Sequence, residues 1–519
     1  MATDIIARAI GQSAKDKTDK ILAEMTNLVT HKVEVASQGQ LGHVKIGRNL
    51  TIDPDGTLHA QASGGEKVAR FVIGTSTAGW TLENCDYLCD GTNDQEEIIQ
   101  ALNDLPETGG EVVILDGIYN IKASINILKD NVSIRGNGNA TILKRKYDST
   151  NTDSGHTAKG LITLNGKSGC KIQGLQIDGN KTEHTSEYNC GIYLSSSSNN
   201  TITSNTCNDN NSNGIYLSSS SNNNTITGNT CNNNDSDGIS LSSSSGNKVT
   251  DNTCNNNYNN GICLYSSSGN TVTGNTCNNN SGGIDLYSSS NNNTITGNTC
   301  NDNNSDGIRL DSSSNDNTIT GNTCNNNDGD GIDLYSSRDN TVTGNTCNNN
   351  KYDGIFLSSF SNNNTITSNT CNNNNIGIFL YSSSDNTIIG NTCTNNNSYG
   401  IRLYSSSNNN TITSNTCNNN DSDGICLYSS SNNTITSNTC NNNDSDGIYL
   451  YSSSNNNTMT GNTCICGTGQ PSDYAQSQYT IRLSGSDSSY NLISSNNCMG
   501  KNVVIDGGTS NTSVNNKYN

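Results

Sequence analysis

From Asn200 to Leu483 apolar side chains come in short alternating bursts, and up to Cys464 the bursts return every 22–24 residues. Gly214-Ile215-Tyr216-Leu217 puts Ile215 and Leu217 on one face. Thr225-Ile226-Thr227 sends Ile226 one way and both threonines the other. Alternation with period two marks a strand with one buried side. Twelve units share this pattern, each close to Asn-Thr-Ile-Thr-(Gly/Ser)-Asn-Thr-Cys, a polar run, then Gly-Ile-x-Leu, with marker cysteines from Cys207 to Cys464. A unit this short cannot enclose its own apolar side chains, so neighbours must stack into one continuous core. Helical repeats need longer units with an apolar residue every third or fourth position, and leucine-rich repeats need several leucines per unit. The pattern predicts an all-β chain: a single-stranded parallel β-helix with three short strands per coil and coils about 4.8 Å apart.

Two polar features recur with the same period. An asparagine stands two residues before every marker cysteine, from Asn205 to Asn462. Asparagine tolerates the left-handed conformation of a sharp bend, and stacked bends would align the side chains into an amide ladder. The cysteines would stack as a buried thiol column, because side-by-side parallel positions suit disulfides poorly and no CxxC pair or histidine lies within the repeats. Free thiols imply assembly in a reducing compartment. No metal or other cofactor is expected.

Composition narrows the partners. The 519 residues include 3 prolines and 1 tryptophan, only 14% are charged, and the net charge is −19. Nucleic acid and anionic membrane are disfavoured as partners. No run of 18 apolar residues suggests membrane insertion, and the first residues lack the apolar core of a signal peptide.

The front of the chain reads differently. Residues 4–32 carry an interrupted apolar stripe (Ile5, Ile6, Ala9, Ile10, then Ile21, Leu22, Met25, Leu28, Val29) that predicts a short helix, with residues 1–35 a candidate trimerisation segment. Within 36–65, two alternating stretches flank Asp53-Pro54-Asp55-Gly56, a hairpin followed by a Gly/Ser linker. The stretch Leu41–Leu58 resembles the N-terminal attachment segment of phage tail fibres and tail-associated proteins. Residues 66–130 contain Gly91-Thr92-Asn93-Asp94, a helix, Gly109-Gly110 and Gly117-Ile118-Tyr119. That order resembles the N-terminal cap of the pectate-lyase-like superfamily, common in tailspikes. Residues 131–500 read as the parallel β-helix, whose repeats resemble the NosD-type repeat, and 501–519 read as a C-terminal tail or cap. The resemblances imply a right-handed β-helix, a homotrimer and a place in a virion tail, made in the host cytoplasm.

Candidate chemistry lies on the outward letter of Gly-Ile-x-Leu and the residue two further on. Asp285, Arg309 and Asp333 form a column that would serve a polysaccharide lyase or glycoside hydrolase, since sugar cleavage needs paired carboxylates or a base beside a cation. Charge pairing between rungs explains the same column. Tyr287, Tyr335, Phe356, Phe379, Tyr381, Tyr404, Tyr428 and Tyr451 are the candidate carbohydrate-binding residues, because sugars stack on exposed rings. Ten units carry Thr-x-Thr, which resembles the ice-binding face of β-solenoid antifreeze proteins and equally suits any exposed strand. Asp235/Asp237, Asp328/Asp330, Asp421/Asp423 and Asp444/Asp446 read as solvated turn acids rather than calcium ligands. The expected function is a tail-associated protein that binds a host cell-surface polysaccharide and attaches to a tail or baseplate protein. A depolymerase, a structural surface protein and, last in order, an ice-binding protein acting through the Thr-x-Thr face are the alternatives.

Overall fold

The computed structural model describes residues 50–52, 58–60, 69–150, 159–467, 478–500, 504–505 and 507–518. The chain divides into two compact units, residues 1–67 and 68–519. In the first, Leu50–Ile52 pairs antiparallel with Leu58–Ala60 on either side of the Asp-Pro-Asp-Gly segment. The helix expected over 4–32, the trimerisation role of 1–35 and the Gly/Ser linker lie outside the described residues.

The second unit is a parallel β-helix. Its Ile-x-Leu strands form one sheet of 16 strands, from Ile125–Ile127 to Val504–Ile505. The register is strict: Ile215 pairs with Ile239 and Leu217 with Leu241, and like stacks on like from coil to coil. The Thr-Ile-Thr strands form a second parallel wall, where Ile226 meets Val249 and Val249 meets Val272. The third side narrows to single-residue bridges, from Thr206↔Thr230 to Thr439↔Thr463. Positive-φ residues close in on both flanks, such as Gly228 and Asn233, and leave only four residues between bends. Inside, the isoleucine, leucine and cysteine columns meet in a core continuous from Ile73 to Cys498. Burial pushes the thiols of Cys231 and Cys254 well above their ordinary range, so they sit there as small neutral hydrophobes.

Amide ladders hold the corners. The Asn229 Oδ1 accepts the Asn205 backbone N–H at 3.0 Å and its Nδ2–H at 3.1 Å, and the pattern repeats coil by coil to Asn462 and beyond. Nδ2 of each also reaches back to a strand carbonyl, Asn229 to Ile202 at 2.9 Å. The expected bend chemistry needs correction here. These asparagines do not adopt positive φ; the preceding residue does (Ser204, Gly228, Asp251), and asparagine is required for its side-chain amide. Two further ladders of the same kind begin at Asn200→Asn224 and Asn210→Asn234, and a serine column begins at Ser197→Ser221. Each satisfies backbone groups that the bends would otherwise leave bare in the interior.

At the start of the second unit the helix Gln95–Asp104 buries Ile98, Ala101 and Leu102 against the first strands. Asp94 precedes it but makes no side-chain cap to the helix. Its carboxylate accepts the Gly91 N–H at 2.8 Å and the Asn120 N–H at 2.7 Å, tying the turn to the first coil.

Candidate functional site

The outward positions of the Ile-x-Leu sheet form a shallow groove. Its floor is the x column, with Asp285, Arg309, Asp333, Phe356, Phe379, Arg402, Cys426 and Tyr449 in register. One bank is the column two residues on, where Tyr265, Tyr287, Asp311, Tyr335, Tyr381, Tyr404, Tyr428 and Tyr451 stand. The other bank is a turn column three residues before x. There the Asp306 carboxylate accepts the Asp330 N–H at 2.8 Å, and the Asp330 carboxylate accepts the Asp353 N–H at 2.7 Å. The banks explain a departure from the sequence reading. The x side chains point away from the core, yet Tyr193, Ser240, Cys263, Asp333 and Cys426 are buried, because neighbouring turns and rings close over them. The turn acids separate in the same way. Asp235, Asp328, Asp421 and Asp444 are exposed, whereas Asp237, Asp330, Asp423 and Asp446 are buried acceptors for the next coil and not solvated.

The charged column is brought together as the sequence suggests. Arg309 Nη2 lies 2.8 Å from Asp311 Oδ2, and its Nε lies 3.4 Å from Asp333 Oδ2. Asp285 stands on the opposite side, so the guanidinium occupies the rung between the two candidate carboxylates. Among the described residues, Asp285 Oδ1 and Asp333 Oδ1 are buried without a hydrogen-bond partner. Burial pushes Asp285 up to about 7 against the pull of Arg309, and it raises Asp333 well above the carboxylate range. For Arg309 burial acts downward, but Asp333, Asp311, Asp285 and Asp306 together win and hold it raised. The turn column lacks its carboxylate at Gly282, and a small cleft opens there beside Asp285, Asp306 and Arg309. That glycine was the legible signal for the cleft, and the sequence reading missed it.

These raised carboxyls give a pH prediction. Asp285 and Asp353 both rise to about 7 and Asp237 to about 6, all chiefly through burial. Each holds its proton more tightly folded than unfolded. The stability they confer is therefore complete below the unfolded value of about 3.9 and is lost as pH rises through 6 to 7. The urea midpoint should be lower at pH 8 than at pH 5, and Asp285→Asn should raise the pH 8 value and flatten the profile. A midpoint that climbs from pH 5 to pH 8 contradicts this.

The aromatic bank is not uniform. Tyr404 and Tyr428 stack with centroids 4.6 Å apart and planes 14° apart; Tyr381 stacks on Tyr404 at 5.6 Å, and Tyr451 meets Tyr428 edge-on at 4.7 Å. Phe356 and Phe379 stack at 5.1 Å. Rings of one coil thus cover rings of the next, and the middle members offer edges where the sequence reading expected open faces. Tyr335 differs. It is 43% exposed, pairs with Ser358 on one side, and makes no ring contact among the described residues. Tyr287 meets a single ring among the described residues, that of Tyr265, with centroids 4.7 Å apart and planes tilted by 56°, which leaves its far side toward Asp311. The open ring faces therefore gather at the charged column.

Two other features carry less. The Thr-x-Thr columns run in register but are interrupted by Lys248 and Ile389. In the first coils, Cys89, Asp94 and Glu97 bring possible metal-ligating atoms within 4.8 Å of one another, a grouping absent from the sequence reading. Both Asp94 oxygens already accept backbone N–H groups, so the cluster reads as a brace.

A family model for the right-handed β-helix region matches residues 238–392, 316–464 and 364–518. A second, for the periplasmic copper-binding protein NosD, matches residues 108–306. No curated protein matches the sequence. Among solved structures, the A-module of the Azotobacter vinelandii mannuronan C-5 epimerase AlgE6 is 16% identical, over 83% of this chain and 96% of its own, with a TM-score of 0.28. The Dettilon tailspike protein is 17% identical over 75% and 68%, with a TM-score of 0.36. Tailspike protein 3 of bacteriophage CBA120 is 14% identical over 82% and 59%, with a TM-score of 0.34. At such identities the likeness reports the fold alone. Among the described residues no helix is long and apolar enough to cross a membrane.

Proposed function

The chain belongs to the right-handed β-helix family, and on that premise we propose that it holds a host cell-surface polysaccharide in the groove between Tyr287 and Phe379. One observation carries this reading. Open ring faces, two carboxyl groups that each keep an unpartnered oxygen among the described residues, and an arginine lie side by side on the outer face of a rigid sheet, at Tyr287, Tyr335, Asp285, Asp333 and Arg309. A pyranose offers an apolar face and a rim of hydroxyls, and such a groove matches both. The setting we propose is a phage or prophage tail, in a homotrimer attached to the tail through the N-terminal segment. The hairpin resemblance supports this, and so does the order of the cap segments.

A depolymerase is the second reading, favoured by the two orphan carboxylate oxygens and the proton-holding Asp285. Asp285 and Asp333 are two rungs apart, about 9.6 Å, at the wide end of what hydrolysis uses. Arg309 fills the rung between them, where a scissile sugar would have to sit. Binding is therefore the better account. The test is to incubate the full chain with purified host polysaccharide and follow retention and release together. Binding predicts retention without oligosaccharide release, and Asp333→Asn should bind within about threefold of the parent. Release by the parent chain that Asp333→Asn abolishes would establish the enzyme.

A further inference from the structure

Three arginines occupy the x column, and their surroundings differ. Arg309 has Asp306 three residues before it and Asp311 two after, and it is ion-paired to Asp311 and Asp333. Arg482 lies 4.0 Å from an Asp446 oxygen. At the same two places Arg402 has Tyr399 and Tyr404. Its guanidinium lies over three rings, 4.7 Å from the Tyr399 centroid, 4.9 Å from Tyr404 and 5.5 Å from Phe379. The Tyr451 hydroxyl is a neutral partner. No carboxylate lies within 4 Å of Arg402 among the described residues, and its half-buried side chain includes a buried Nε with no acceptor. Asp353, two coils away, is the acid it influences. The turn column departs from Asp and Asn at this coil and the one before it, at Tyr399 and Ile376, which removes the carboxylates that would have neutralised the cation.

We infer that Arg402 is an anchor for an anionic substituent, carboxylate or phosphate, on the bound polysaccharide. Three rings hold the guanidinium in place, so a two-oxygen anion that reaches it meets a cation already positioned. An uncompensated, half-buried charge gains most from such a partner. The inference rests on the proposed glycan groove and extends it to the adjoining coils. It names the substrate class: a saccharide chain that carries negative charge, held at Arg402 while its sugar rings lie along Phe379, Phe356 and Tyr335.

The test uses the full chain and four probes in calorimetric titration: uronic-acid hexasaccharide, its methyl ester, glycerol-phosphate hexamer and neutral glucan hexasaccharide. At least one anionic probe should bind about tenfold or more tightly than the ester or the glucan, the worth of one charge-assisted pair. Which anion it is distinguishes carboxylate from phosphate. Arg402→Gln should erase that preference and leave neutral binding and the melting temperature unchanged, while Arg402→Lys should keep part of it. Equal binding of charged and uncharged probes, no binding of either anion, or an undiminished preference in Arg402→Gln would overturn the anchor. Neutral-glycan or host-polysaccharide binding that survives in those cases leaves the groove reading standing, so the two fail separately.

Discussion

Replacing Gly331 with alanine should cost about 3 kcal/mol or more and disorder the coils around it, whereas Gly344→Ser should be nearly silent. The two glycines serve opposite needs. A Cβ at Gly331 would stand 2.6 Å from the Cys347 Cβ and 2.6 Å from the Gly354 carbonyl oxygen, with the Asn350 amide at 2.9 Å. None of these can retreat. The cysteine is core, the carbonyl belongs to the next coil's ladder, and the amide is tied into its own column. Only a wider coil spacing would relieve the contact, and that would break the parallel hydrogen bonds on both sides. Gly344 has φ of +64° and open space where its Cβ would be. Ser368, Ser414 and Ser437 already hold that conformation at the same place in their coils. Urea midpoints and hydrogen exchange at the coils around 331 measure the contrast. Equal effects at the two glycines would contradict it.

Asn298→Ala should be almost as damaging, at about 3 kcal/mol, because the loss propagates in both directions. The Asn298 Oδ1 accepts both the backbone N–H and the Nδ2–H of Asn275, at 2.9 Å each. Its own Nδ2 donates to Asn322 Oδ1 and to the Val272 carbonyl. Alanine strands two donors and a carbonyl in a buried corner, each costing about 1–3 kcal/mol when unmade. Half-buried Asn301→Ala is the control only in part, since its Oδ1 accepts the Asn325 N–H. Thr296→Ala on the outer wall is a cleaner one. Amides of the coils on either side of residue 298 should exchange markedly faster in Asn298→Ala and hardly faster in Thr296→Ala. Protection unchanged at Asn275 and Asn322 would show that the ladder is dispensable.

The coil itself was legible because its period is written in apolar residues. Ile215, Leu217, Ile226 and Cys231 recur with their spacing intact, and two-residue alternation assigns them to one inner surface. One asparagine ladder was read from the sequence and two were not, although Asn200 and Asn210 recur with the same period. The sequence reading tied asparagine to positive φ, and the structure gives that task to the neighbours of the marker asparagine. The groove was half legible. Register placed Asp285, Arg309 and Asp333 in one column correctly, because parallel pairing leaves no freedom once the Ile and Leu are aligned. Exposure was not legible, because it depends on what the adjacent coil carries. Tyr428 and Tyr335 occupy the same letter of the repeat, yet one is flanked by Tyr404 and Tyr451 and the other by Asp311 and Ser358. A single-coil pattern cannot show that difference; comparing three successive coils at one letter can.

That difference leads to the most direct measurement of the glycan groove. Host polysaccharide should be titrated against the parent chain, Tyr335→Ala and Tyr428→Ala, with the melting temperature of each recorded beside it. Tyr335 offers an open face and little packing, so its loss should weaken binding about tenfold and leave the melting temperature in place. Tyr428 is sandwiched in the ring stack, so its loss should lower the melting temperature by a few degrees and change binding by less than about threefold. Binding by Tyr335→Ala equal to that of the parent would contradict the account.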